Sequence, residues 1–223
     1  MKTLLAAAAV AATIATAPVQ AAQIFAELGA SCPGQQGTCR IIHIEGRIEA
    51  ADWQTFKALA LAKKTHTVVQ LNSPGGLMES GLIVGVGIQT LGFDTYVGPE
   101  AECASVCASI WLAGKTRYAA GNSAIGFHQP YAKDARGRIF RDPAAVNMQK
   151  KYYAEIGVPK PAADFFVAAD PKDIYWLNDD LAKGFGIQYT LVEPTETETP
   201  AEKPAARSHV DGSTVDQRWP MGE

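Results

Sequence analysis

"HTVVQLNSPGG" (residues 66–76) runs directly into "LMESGLIVGVGIQTLG" (77–92). The first stretch is a short apolar run that stops at Pro-Gly-Gly, which predicts a buried strand ending in a tight turn. The second carries apolar residues at helical spacing in spite of its glycines, so a helix follows the turn. Strand, Gly-rich turn and helix in that order form one unit of a fold with parallel strands and helical crossovers.

The alternation continues on both sides. Upstream, "CRIIHIEGRI" (39–48) is rich in β-branched residues as far as Gly46, and "ADWQTFKALALAKK" (51–64) has helical periodicity. Downstream, "FDTYVG" (93–98) reads as a strand, a third helix opens near Ser105, and "SAIGFHQPY" (123–131) reads as a strand ending at His128. "AKDARGRIFRDP" is polar and reads as a loop. "PAAVNMQKKYYAEIG" and "PAADFFVAAD" read as helices stopped by Pro159 and Pro171, and "DIYWLN", "DDLAKGFG" and "IQYTLVE" as strand, helix and closing strand. The expected class is α/β with a mostly parallel sheet.

A chain of 223 residues, 47% hydrophobic and 19% charged, is long enough for one sizeable core. "MKTLLAAAAVAATIATAPVQAAQ" has one basic residue, Lys2, then a short apolar run, then small residues before a "VQA-A" junction. This pattern predicts a cleavable signal peptide over 1–21, with a mature chain starting at Ala22 and no membrane span after cleavage. The expected location is periplasmic or secreted. Removing 1–21 takes away Lys2 and no acidic residue, moving the formal charge from −3 to −4. Nothing in that balance suggests nucleic acid or an anionic membrane surface as a partner, and no nucleic acid is expected. The remaining divisions are an N-terminal segment (22–39), a single α/β domain (40–192) and a tail (193–223). The tail is rich in Thr, Pro and Glu and predicted to be disordered.

Four cysteines in an exported chain are read first as disulfides. Cys32 and Cys39 bracket the turn-rich "PGQQGT", and Cys103 and Cys107 flank Ser105. Four cysteines allow three pairings, of which the two local ones are favoured here. There is no CxxC spacing, and His43, His66, His128 and His209 are scattered, so neither metal nor cofactor is expected.

An acyl-transfer site needs a nucleophile, a base, a group that orients the base, and donors aimed at the developing oxyanion. Ser105, at a helix start, would place its hydroxyl at the positive end of the helix dipole with the Val106 N–H beside it. Gly75 and Gly76 can present backbone N–H groups unobstructed by side chains. His128 ends a strand, and Asp173 or Asp170 could hold its imidazole.

"LNSPGG", "CASVCASIWLAG" and "GNSAIGFHQP", in this order and spacing, resemble the proteolytic subunit of the Clp protease and the wider ClpP/crotonase superfamily. The resemblance runs from about Ile41 to Val192. It implies repeated β-β-α/β-α units, with Ser105 as nucleophile, His128 as base, and Gly75 with Val106 as oxyanion donors. It further implies a serine endopeptidase acting on peptides or unfolded proteins, assembled as a homo-oligomer. The third triad member has no gap-free match in "DPKDIYWLNDDLAKGFGI". Asp173 is preferred to Asp170 because it directly precedes "IYW". The cysteines and the signal segment are foreign to the cytoplasmic proteases and point to an exported relative.

Four rival readings stand beside this one. A Ser-Lys mechanism would use Lys115 or Lys133, but a lysine base needs desolvation and Lys133 lies in a polar stretch. Cys103 or Cys107 as nucleophile is disfavoured by an oxidising compartment. A non-catalytic peptide-binding or assembly module would keep the fold without the chemistry. An acyl-CoA enzyme ranks behind these, since no basic cluster for the nucleotide is evident.

Overall fold

The computed structural model describes residues 21–62 and 65–193. The predicted signal peptide and tail lie outside the described residues, apart from Ala21 and Glu193. In chain order the elements are β1 (Gln23–Ser31), β2 (Thr38–Glu45), α1 (Asp52–Leu61), β3 (Thr67–Asn72), α2 (Met78–Leu91), β4 (Asp94–Val97), β5 (Glu102–Ala104) and α3 (Val106–Leu112). There follow β6 (Arg117–Ala120), β7 (Ala124–Phe127), β8 (Tyr131–Lys133), β9 (Ile139–Arg141), α4 (Pro143–Glu155), α5 (Lys160–Phe166), β10 (Tyr175–Trp176), α6 (Asp179–Phe185) and β11 (Thr190–Val192).

A six-stranded sheet runs in the order β1-β2-β3-β4-β6-β11, parallel throughout except for the antiparallel β1–β2 pair. Val68, Val69 and Leu71 of β3 are fully buried, because the sheet is covered on both faces at its centre. Val69, Leu71, Ile42, Ile44 and Val97 join the main core with the helices, while Val68, Ile41, Tyr96 and Tyr118 form a smaller cluster on the other face. Each such aliphatic side chain contributes about 1.5–3 kcal/mol by leaving water. A second sheet, β10-β7-β5, stands beside the first, with β5 parallel to β7.

Local sequence explains where elements stop. Gly92 ends α2 in the left-handed conformation at φ 66°, and its N–H reaches the carbonyls of Ile88 and Gln89. Asp142 opens α4 by accepting from the Ala144 and Ala145 N–H groups, with Pro143 in the first helical position. α4 docks through Tyr152 and Tyr153, both buried, and a Cβ on Gly85 of α2 would overlap the Tyr152 hydroxyl.

β5 and β6 have no counterpart in the sequence reading, and two further segments differ from it. Residues 132–143, expected as a polar loop, hold most of the β8–β9 hairpin, which pairs Tyr131, expected in the preceding strand, with Arg141 and Lys133 with Ile139. The segment 22–39 contains β1, an exposed edge strand held by its ladder with β2. Of the expected cysteine pairs, Cys103 and Cys107 are disulfide-bonded, whereas Cys32 and Cys39 are free thiols here.

Candidate active site

Backbone hydrogen bonds bring the three motif blocks together. Beyond the end of β3, Ser73 bridges to Cys103: the Ser73 N–H donates to the Glu102 carbonyl at 2.7 Å, and the Ala104 N–H to the Ser73 carbonyl at 3.0 Å. On the other side of β5, Ala104 is in register with Gly126, and the Ser105 N–H donates to the Gly126 carbonyl at 2.8 Å. Ser105 is therefore held between the Pro-Gly-Gly turn and the end of the strand that leads into His128.

Ser105 has φ 61° and ψ −128°, the left-handed side of conformational space that a non-glycine residue occupies only when its surroundings enforce it. Two features enforce it. Cys103 and Cys107, both fully buried, are covalently joined across the serine. In addition, a Cβ on Gly75, itself at φ 92°, would lie 2.6 Å from the Ser105 Cβ, so only glycine fits there. The Ser105 hydroxyl does not cap α3 and has no hydrogen-bond partner among the described residues. A polar group on a strained turn with nothing to bind is poised toward solvent or a ligand.

The candidate oxyanion donors divide. The Gly75 N–H is already engaged, donating to the buried Ser73 Oγ at 3.0 Å. Gly76 and Val106 have no backbone N–H partner among the described residues, Val106 because it begins α3. Gly76 is fixed by the segment after β2, since the Ile48 N–H donates to the Gly75 carbonyl and the Leu77 N–H to the Ile48 carbonyl. Ser73 and Ile48 thus shape the turn, a role that sequence reading did not assign to either.

The His128 Nδ1 lies 2.8 Å from the Gln129 carbonyl oxygen. A carbonyl can only accept, so Nδ1 carries the hydrogen and a neutral ring keeps Nε2 bare, the tautomer a general base needs. Among the described residues no hydrogen bond joins His128 to Ser105, Asp170 or Asp173. Both aspartates are exposed in the turn after α5, where the Asp173 N–H donates to the Asp170 carbonyl and Asp170 Oδ2 lies 3.8 Å from Arg141. This turn is tied to the site by its backbone, through the Gln129 N–H to the Ala169 carbonyl at 3.0 Å.

The remaining candidates lie apart from this chemistry or are tied up. Lys115 follows α3 and is exposed, and Lys133, also exposed, sits over the Tyr131 ring. Cys103 and Cys107 are consumed by their disulfide. Burial and the adjacent Cys32 push the Cys39 thiol up to about 12, so it is no nucleophile at neutral pH. His209 lies outside the described residues.

No family model and no curated protein matches the sequence. Solved structures do match the fold. ClpP1 from Listeria monocytogenes superposes with a TM-score of 0.52 at 21% identity, over 70% of this chain and 93% of that one. The fold is ClpP-like. The 1510-N membrane-bound stomatin-specific protease shares it. Its serine-to-alanine mutant matches at TM-score 0.51 and 20% identity, over 65% of this chain and 74% of that one. Its lysine-to-alanine mutant, solved in complex with a substrate peptide, matches at 0.52 and 21%, over 65% and 70%. In this ClpP-like fold the strand, Gly-rich turn and helix read from residues 66–92 form β3 and α2, the unit that delivers Gly75 to Ser105.

Proposed function

We propose that the protein is an exported serine peptidase of the ClpP-like type. Ser105 Oγ attacks a peptide carbonyl, and His128 Nε2 takes its proton and passes it to the leaving amine. The oxyanion of the tetrahedral intermediate is received by the backbone N–H groups of Val106 and Gly76, with Gly75 serving to keep the Ser105 turn closed. The Gln129 carbonyl holds the base in its working tautomer, the part otherwise given to Asp173 or Asp170. The observation that carries this reading is the strained, unpartnered Ser105 hydroxyl at the junction of the three blocks.

The proposal includes peptides or unfolded segments as substrates, since a protein outside the cytoplasm lacks ATP to drive unfolding. It also includes self-assembly. Ile83 and Val86 of α2 and Met148 of α4 expose 43–49% of their surface on adjoining helices, a face that a second copy would cover. Hydrolysis of a fluorogenic peptide library by the mature protein tests the activity. Cleavage lost in Ser105→Ala supports it, and cleavage unchanged in that variant refutes it.

The second reading, a peptide-binding module without turnover, is favoured by the missing Ser105–His128 hydrogen bond. It predicts that library peptides bind to wild type and Ser105→Ala alike and emerge uncut from both.

A further inference from the structure

The cysteines and histidines that are scattered in sequence do not stay scattered after folding. Cys32 lies in the turn after β1, Cys39 is the second residue of β2, and His66 immediately precedes β3. The β1–β2 and β2–β3 ladders bring them together, so that the two sulfurs and a ring nitrogen all lie within 4.8 Å of one another. Cys32 Sγ is 3.8 Å from His66 Nδ1. This cluster is at the opposite end of β3 from the Pro-Gly-Gly turn, roughly 20 Å away along the strand.

Its chemistry is that of a metal site. Tetrahedral zinc with sulfur and nitrogen ligands holds its donor atoms about 3.4–3.8 Å apart, so the cluster needs only small adjustments. Both cysteines are buried, at 8% and 5% exposure, while the His66 side chain is 42% exposed and leaves a path for an ion. The His66 Nε2 lies 2.8 Å from Oδ2 of buried Asp94, whose Oδ1 accepts from the Thr116 N–H at 2.9 Å. With that carboxylate as acceptor, the neutral imidazole carries its hydrogen on Nε2 and turns the bare Nδ1 toward the sulfurs. A carboxylate behind a histidine is the arrangement that orients metal-binding imidazoles.

We propose that Cys32, Cys39 and His66 form a three-ligand zinc(II) site, oriented by Asp94, which fastens the β1–β2 turn to the start of β3. On coordination the two thiols release their protons to solvent, and a fourth position faces water or an external ligand. The rival state of the same residues is a Cys32–Cys39 disulfide.

The test uses the full mature chain with Cys103→Ala and Cys107→Ala, so that the other pair cannot bind the probe, together with wild type isolated without reductant. Zinc(II) is added, stoichiometry is read by native mass spectrometry, and affinity is read by competition with a chromophoric chelator. One zinc per chain is expected, with affinity lowered 10–100-fold by Asp94→Asn and further by His66→Gln. His66 is exposed enough for His66→Gln to stay folded, which circular dichroism checks. Substoichiometric zinc, an affinity that His66→Gln leaves unchanged, or wild type recovered as a Cys32–Cys39 disulfide without zinc would each overturn the proposal.

Discussion

Gly75 and Ser105 pack so closely that a methyl group on the glycine would sit 2.6 Å from the serine Cβ and 2.8 Å from the Ala104 carbonyl oxygen. Both residues have positive φ, and they lie on separate elements joined by the Ser73–Cys103 bridge. The conformation of the serine turn is thus set by a residue thirty positions earlier in the chain.

Gly75→Ala should therefore disable the serine without unfolding the domain. The alanine pays both the positive-φ strain and the clash, about 1–3 kcal/mol, and displaces the Ser105 turn. Thermal denaturation should show a folded but destabilised protein, with fluorophosphonate labelling slowed at least tenfold.

The Gln129 carbonyl, rather than a carboxylate, accepts from His128 Nδ1. Asp173→Asn and Asp170→Asn should each leave the labelling rate within about threefold of wild type. In a triad whose aspartate fixes the histidine, the same change costs about 10⁴-fold. A loss of that size in Asp173→Asn would restore the aspartate to the role read for it from sequence.

The Cys103–Cys107 bridge closes a loop of sequence separation 4 around Ser105. Chain-entropy reasoning gives such a short loop about 2 kcal/mol of stabilisation. The Cys103→Ala, Cys107→Ala protein should melt roughly 4–8 °C lower than wild type. Calorimetry under identical conditions checks this, and labelling of Ser105 in the same protein reports whether the bridge also holds the turn.

Parts of this arrangement were legible in the sequence for a physical reason. The buried strands β2, β3 and β4 and the helices α1 and α2 announce themselves because their burial writes an apolar pattern into consecutive residues. β1 exposes most of its residues and is defined by its ladder alone, and β5 is a three-residue strand that exists because β7 and Ser73 flank it. The three site blocks were visible as side-chain motifs. The engaged Gly75 N–H, the Gln129 carbonyl and the strain at Ser105 were not, because backbone hydrogen bonds and dihedral angles have no residue letter. The Cys32–Cys39–His66 cluster was hidden for a related reason: strand register, not sequence spacing, assembles it.

The α4–α5 junction carries a pH dependence. Hydrogen bonds from Lys150 and Lys160, at 2.7 and 2.6 Å, hold the Asp164 carboxyl below the usual carboxylate range. A carboxyl whose folded-state value is depressed stabilises the protein above its ordinary value near 3.9, and loses that contribution as the pH falls through the lower one. Asp164→Asn should therefore melt below wild type at neutral pH, with the gap closing in acid and shrinking at high salt. Melting curves between pH 2 and pH 7 measure it.

The central claim is that Ser105 is an activated nucleophile, and covalent labelling tests it most directly. Intact-protein mass spectrometry of the mature, oxidised protein after fluorophosphonate treatment, followed by peptide mapping, should find a single adduct on Ser105 that is absent from His128→Ala. No adduct in either oxidised or reduced protein would contradict the claim and leave a ClpP-like fold that binds without cutting.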